Sequence, residues 1–243
     1  QMALFDKDSR YSGMVSYIQN TVTVDQLTYM LPRFLEDSTL LCDLPVATPL
    51  PTSYHKHFKY SDMVRIREGE VDMSILTNNP TFFTFFKGEA ALEAIRLSSA
   101  FFGKGQFESA QLEKDGETYI LSSTIYGPYY QPLPKEKIPK DAEAWSKVPR
   151  TEREQSEVQT LHTKIYLTPG INSTSVKVYV DGPKNLPVTL EVAFRMGGTL
   201  LGVTPKKGID HAFLIKDGEY ATYQKGNDRI KIGPGIGTHK WTQ

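Results

Sequence analysis

The hydrophobic pattern of the chain changes period once. In DSRYSGMVSYIQN and TVDQLTYMLPRFLED, both within the first fifty residues, apolar positions recur at the three- and four-residue spacing of helices that bury one face. Asp8 or Ser9, and Thr23, stand where a short oxygen-bearing side chain caps the first helical turn. Pro32 is expected to end or kink the second helix, because its ring blocks the preceding turn. CDLPVATPLPTSYHKHF follows, and its prolines bias their neighbours toward an extended linker.

From Lys59 onward the period is two. SDMVRIREGEVDMSILTNN alternates over two strands, and NNPTFFTFFKGEAALEAIRLSSAFFGKGQF continues as aromatic strands. Asp115-Gly116, between QLEK and ETYILSS, is a strong hairpin signal, and Asp217-Gly218 reads the same way between HAFLIK and EYATYQK. HTKIYLTPGINSTSVKVYVDG and LPVTLEVAFRMGGTLLGV add four or five strands. Residues 131–157, QPLPKEKIPKDAEAWSKVPRTEREQSE, are rich in proline and charge and read as a surface excursion. About a dozen strands over roughly 180 residues predict a mainly β chain, a large antiparallel β-sandwich preceded by a short helical segment. The boundaries are 1–58 for the helical segment with its proline-rich linker and 59–243 for the sandwich.

FFGKGQF, residues 101–107, asks whether Gly103, Lys104 and Gly105 cradle a phosphate. A P-loop needs Ser or Thr after the lysine and a helix behind it. Gln106 and Phe107 follow instead, and the next residues alternate as strands. The glycines therefore read as a bulge or bend, with Phe101, Phe102 and Phe107 suited to a β core.

Composition narrows the partners. Twenty-eight basic residues balance 28 acidic ones, so no overall field draws the chain to nucleic acid or an anionic membrane. The apolar runs fall short of the roughly 20 residues of a membrane helix, so no membrane span is expected. Cys42 is the single cysteine, which leaves no internal disulfide and no thiolate metal cluster. The polar opening QMALFDKDSRYSG and the abrupt ending THKWTQ raise the expectation of a piece of a longer protein.

The densest polar stretch is YHKHFKYSDMVRIRE, residues 54–68. On a strand His55 and His57 share a face and, with a third ligand, have the chemistry for zinc; without an HExxH motif, the preferred reading is paired or solvent-facing imidazoles and no metal. Arg65 and Arg67 share a face and can grip a carboxylate, or form a solvated face balanced by Asp62, Glu68 and Glu70. In YGPYYQPLP, Tyr126, Tyr129 and Tyr130 surround Gly127-Pro128 on an expected stiff turn, and either fill core or stack on sugars, with Trp145 as an addition. Glu191 and Arg195 share a strand face, read as cross-strand ion pairs. Asn172-Ser173-Thr174 is formally a glycosylation sequon, but reads first as a turn.

The order of these features resembles the carboxyl-terminal region of bacterial polysaccharide lyases of the heparinase II/III-like type. Helices lead through a proline-rich linker to the Arg65/Arg67 strand; PTFFTFF, FFGKGQF, YGPYYQPLP, the charged excursion, VTLEVAFRMGG and GTHKWTQ follow in turn. In that group a helical toroid precedes a very large sandwich, a supersandwich. The resemblance covers most of the chain, with 1–50 as the last toroid helices. It implies a periplasmic or secreted protein, an acidic polysaccharide or oligosaccharide as ligand, and the toroid domain of the same protein as neighbour.

Such lyases cleave uronic-acid polymers by β-elimination. A cation neutralises the uronate, a Tyr or His takes the adjacent proton, and an acid protonates the leaving oxygen. Tyr54, His55, His57, Arg65 and Arg67 include each residue type and, with Tyr129 and Tyr130, form the expected sugar-facing edge. No catalytic roles follow, because much of such a cleft belongs to the toroid. The expectation is a sandwich that lines a glycan cleft and is not catalytic alone, with no cofactor. The alternatives are a complete carbohydrate-active enzyme with a His/Arg/Glu site, or a structural interaction domain.

Overall fold

A computed structural model describes residues 51–140 and 145–237, together with Pro32 and residues 35–37. The chain divides into two compact units, 1–50 and 51–243. The helices expected in the first unit lie outside the described residues, apart from helical backbone at Pro32, Leu35 and Glu36. Among the described residues no helix is long and apolar enough to cross a membrane.

The second unit is antiparallel β throughout its main sheets. β1 (Ser53–Phe58), β2 (Met63–Glu68), β3 (Val71–Ile75), β4 (Phe83–Lys87) and β5 (Ala90–Ser99) form a meander, and β10 (Val188–Phe194) closes it as the sixth strand, beside β5. β6 (Leu112–Asp115), β7 (Thr118–Tyr130), β8 (Gln155–Gly170) and β9 (Ser173–Asp181) make a four-stranded sheet in that order. β11 (Thr199–Leu201), β14 (Ala221–Lys225) and β15 (Asp228–Ile232) form a third sheet, and β12 (Thr204–Pro205) pairs with β13 (Phe213–Leu214).

Alternation explains the sandwich. In β2 and β3, Val64, Ile66, Val71, Met73 and Ile75 are buried while Arg65, Asp72 and Ser74 between them are not. The four-stranded sheet supplies Tyr119, Leu121, Ile165 and Leu167 to the same cluster, joined by Phe82, Phe83, Phe85 and Phe107. Phe82 meets Phe107 edge-on at 5.8 Å. The third sheet docks where Phe194 stacks on Tyr223 at 4.7 Å, and Tyr223 Oη donates to the Arg195 carbonyl at 2.5 Å.

Four two-residue hairpins share one chemistry. Gly69-Glu70, Gly88-Glu89, Gly116-Glu117 and Gly226-Asn227 each place glycine first, with φ between +52° and +59°, where a Cβ would be strained.

Four expectations change. The sandwich starts earlier than residue 59: β1 pairs residue for residue with β2, so the unit boundary falls between Leu50 and Pro51. Asp217-Gly218 is not a hairpin, because β13 pairs with β12; the Gly218 N–H donates to the Gly235 carbonyl at 2.9 Å. YGPYY is not a turn but the end of the 13-residue strand β7. In FFGKGQF, Phe101 and Phe107 are buried as expected, while Phe102 is 39% exposed on a turn closed by the Lys104 N–H on the Phe101 carbonyl. Its ring lies against Gly127, where any Cβ would collide with it.

The excursion between β7 and β8 contains short 3-10 turns at Lys135–Lys137, Trp145–Lys147 and Arg150–Glu152. Glu191 pairs with Arg96 at 3.1 Å and Arg195 with Glu93 at 2.7 Å, both across to β5.

Candidate functional site

The β1–β2 register divides the sequence cluster of residues 54–67. Tyr54 faces Arg67 and Lys56 faces Arg65, whereas His55 faces Ile66 and His57 faces Val64. Side chains of directly paired residues share a sheet face, so Tyr54, Arg65 and Arg67 lie on the outer face and the two histidines on the core side of this edge strand. One combined site does not form.

Each group also has its own partner. Arg65 Nη2 donates to both Asp72 carboxylate oxygens, at 2.7 and 2.5 Å. Arg67 Nε reaches the Gly69 carbonyl at 3.3 Å. His57 Nε2 lies 2.7 Å from Asp62 Oδ1. His55 Nε2 is hydrogen-bonded to the Tyr119 hydroxyl, over whose ring sits the Lys114 ammonium at 5.4 Å. Among the described residues no cluster of three or more His, Cys, Asp or Glu has the arrangement for a metal ion.

The His55–Tyr119 pair does not hold a ready phenolate. Burial, followed by the positive charge of Lys114, lowers the His55 pKa below its ordinary 6.5. Burial, with Glu117 adding to it, raises that of Tyr119 above 10. Both shifts favour the neutral forms, the opposite of what a phenolate base requires. Unfolding restores the ordinary histidine value of 6.5, so below that pH the unfolded chain binds more protons than the folded one. Stability should therefore fall as pH drops from 6.5 toward the lowered folded value. Urea midpoints between about pH 5 and 7 should slope less steeply in His55→Gln than in the native chain; equal slopes would remove His55 as the source.

The tyrosines at the end of β7 are exposed. Tyr126, Tyr129 and Tyr130 are 56%, 51% and 44% accessible. Alternation turns Tyr126 outward, while Tyr129 sits on the opposite side, edge-on to Phe102 at 4.8 Å. The Arg153 guanidinium lies over the Tyr130 ring at 4.9 Å, and Lys104 Nζ donates to the Tyr126 carbonyl at 2.6 Å. Exposed rings, a guanidinium and an ammonium thus lie at one end of the four-stranded sheet, with Tyr129 on the side opposite to Tyr126. The side chain of Trp145 lies outside the described residues.

Sequence reasoning missed the other end of that outer face. Here Thr118, Tyr166, Thr168, Lys177 and Tyr179 line an open hollow of about 260 Å³. The pairings Ile120–Tyr166–Lys177 and Ser122–Lys164–Tyr179 show how three strands assemble it. The signal was present in HTKIYLT and STSVKVYVD. His162, Lys164, Tyr166 and Thr168 alternate with apolar or buried residues, as do Ser175, Lys177, Tyr179 and Asp181. Between the two large sheets, a cavity of about 20 Å³ beside Leu97, Phe107 and Leu161 has room for one water molecule.

Comparison of the chain with protein-family models, with curated protein sequences and with solved structures finds no match.

Proposed function

We propose that this β-sandwich is the glycan-contacting portion of an extracytoplasmic polysaccharide-processing protein, periplasmic or secreted, and does not catalyse a reaction alone. Its ligand is an acidic polysaccharide or oligosaccharide of the uronic-acid type, and a toroid domain of the same protein is the neighbour that completes the cleft. The observation that carries this reading is the exposed, outward-facing Tyr126 and Tyr130 at the end of β7, with Arg153 over the Tyr130 ring. A flat ring offers an apolar face to the C–H side of a sugar, and its hydroxyl bonds sugar hydroxyls. A guanidinium beside it supplies a forked donor for a uronate carboxylate. Lyase chemistry, in this reading, belongs to the longer protein.

Native gels cast with acidic and neutral polysaccharides test it. Retardation by a polyuronate is expected, with Tyr130→Ala weakening binding about 3- to 10-fold, the worth of one aromatic contact. Arg153→Gln should weaken uronate binding more than binding of neutral polymers. Arg67→Ala, on the outer face of the other sheet, should leave retardation unchanged. No retardation by any polymer sinks the reading.

A further inference from the structure

Thr118 and Tyr126 are eight residues apart on β7 with unbroken pairing to β8 between Tyr119 and Tyr129, so the hollow and the Tyr126 end share one face. The separation is roughly 26 Å at the rise of a strand. We infer that the hollow lined by Thr118, Tyr166, Thr168, Lys177 and Tyr179 is a second glycan subsite, for a single anionic sugar unit, filled by the same chain that engages the Tyr126–Tyr130 end. The inference rests on the glycan-binding reading and extends it to a site of different construction.

Three features select that ligand. The first is size: an open hollow of about 260 Å³ has room for one pyranose ring and leaves its neighbours in a chain free to extend along the face. The second is the lining. Tyr179 is 61% exposed and meets Tyr166 edge-on at 5.4 Å, which leaves ring surface open to a sugar face. The Thr118 and Thr168 hydroxyls lie 2.8 Å apart and satisfy each other with one proton. Their second proton and remaining lone pairs are available to sugar hydroxyls.

The third feature is charge. Lys177 lines the hollow, and Lys164 is the cross-strand partner of Tyr179. Neither enters an ion pair among the described residues. The carboxylates of this face stand elsewhere. Glu113 and Asp115 face Ile120 and Thr118 from β6, three strands and roughly 14 Å from β9, beyond a physiological screening length of about 8 Å. Asp181 faces His162 and is the diagonal neighbour of Lys164, so Lys177, opposite Tyr166 with no carboxylate beside it on β8 or β9, is the main anion anchor. An anionic group is therefore favoured on the β8–β9 side, against the lysines, and neutral hydroxyls on the Thr118 side, where Asp115 is near.

Two subsites on one face bind a spanning chain more tightly than either alone, because the second contact is intramolecular. Calorimetric titration of the full chain with short and long oligosaccharides tests this, using carboxylated, sulfated and neutral series. Long anionic oligomers should bind about 100-fold more tightly than short ones. Lys177→Gln and Tyr179→Ala should abolish that gain while short oligomers still bind at the Tyr130 end. Comparing the carboxylated and sulfated series tells which anion is preferred. If both variants bind long anionic oligomers as tightly as the native chain while Tyr130→Ala does not, the second subsite is overturned and the first reading stands. Loss in Lys177→Gln alone, with Tyr130→Ala unaffected, overturns the Tyr130 end and with it the spanning of two subsites, leaving the hollow as a lone site. No binding of any series by the native chain overturns both.

Discussion

Phe82→Ala should lower the stability of the sandwich by about 3–5 kcal/mol, the usual range for truncating a fully buried aromatic. Phe82 has no accessible surface and packs edge-on against Phe107. Its backbone is also tied on both sides, its carbonyl accepting from Leu76 N–H at 3.0 Å and its N–H donating to the Ile95 carbonyl at 3.3 Å. The main chain therefore cannot easily collapse into the space the ring leaves, which places the expected loss toward the upper half of the range. In a unit of this size the midpoint of thermal unfolding should drop by roughly 6–20 °C. Phe82→Leu, which keeps most of the volume, should cost about 1.5 kcal/mol or less. A loss below 1 kcal/mol for the alanine variant would falsify the placement of Phe82 at the centre of the core.

Asp62→Ala should cost about 2–4 kcal/mol, although Asp62 is an acidic residue in a surface turn. Its Oδ1 meets His57, and its Oδ2 accepts the Leu112 N–H at 2.8 Å. Its carbonyl accepts from Thr77 Oγ1 at 3.0 Å. One side chain thus joins the β1–β2 turn of the six-stranded sheet to β6 of the four-stranded sheet. Its backbone φ is +45°, a left-handed conformation that Asp and Asn tolerate better than Ala. Asp62→Asn should therefore recover part of the loss. Equal losses in the two variants would show that neither backbone conformation nor the remaining oxygen matters.

Much of the fold was legible because burial alternates along the strands. MVRIRE, VDMSI and HTKIYLT show their core and solvent faces in the sequence itself. The turns were less legible. EGEV, KGEA, DGET and KGND carry the same glycine-first chemistry, but only the third stood out, because it also contains Asp-Gly. Asp217-Gly218 misled for the converse reason: local turn chemistry says nothing about which strands pair, and Gly235 takes the hydrogen bond.

The site suffered from a related limit. Spacing correctly grouped His55 with His57 and Arg65 with Arg67, but the turn between Phe58 and Met63 sets the register that separates the pairs onto two faces. Tyr129 and Tyr130 looked like one platform because they adjoin in sequence, which on a strand directs neighbours to opposite sides. The hollow draws on β7, β8 and β9, so its residues meet only once those strands are paired.

The late arrival of β10 has a consequence for how the chain is made. β5 is complete at Ser99, but its neighbour β10 begins at Val188, after the whole four-stranded sheet. At a synthesis rate of about 5–20 residues per second, several seconds separate the two. During that interval the meander β1–β5 has, besides its lasting β1 edge, a second open edge along a strand whose Leu92, Ala94, Ile95 and Leu97 become buried. The four-stranded sheet emerges in time to cover the apolar face, but it cannot close that edge. Nascent chains stalled or cut before Val188 should therefore associate through β5, strand to strand, in a way the finished protein does not.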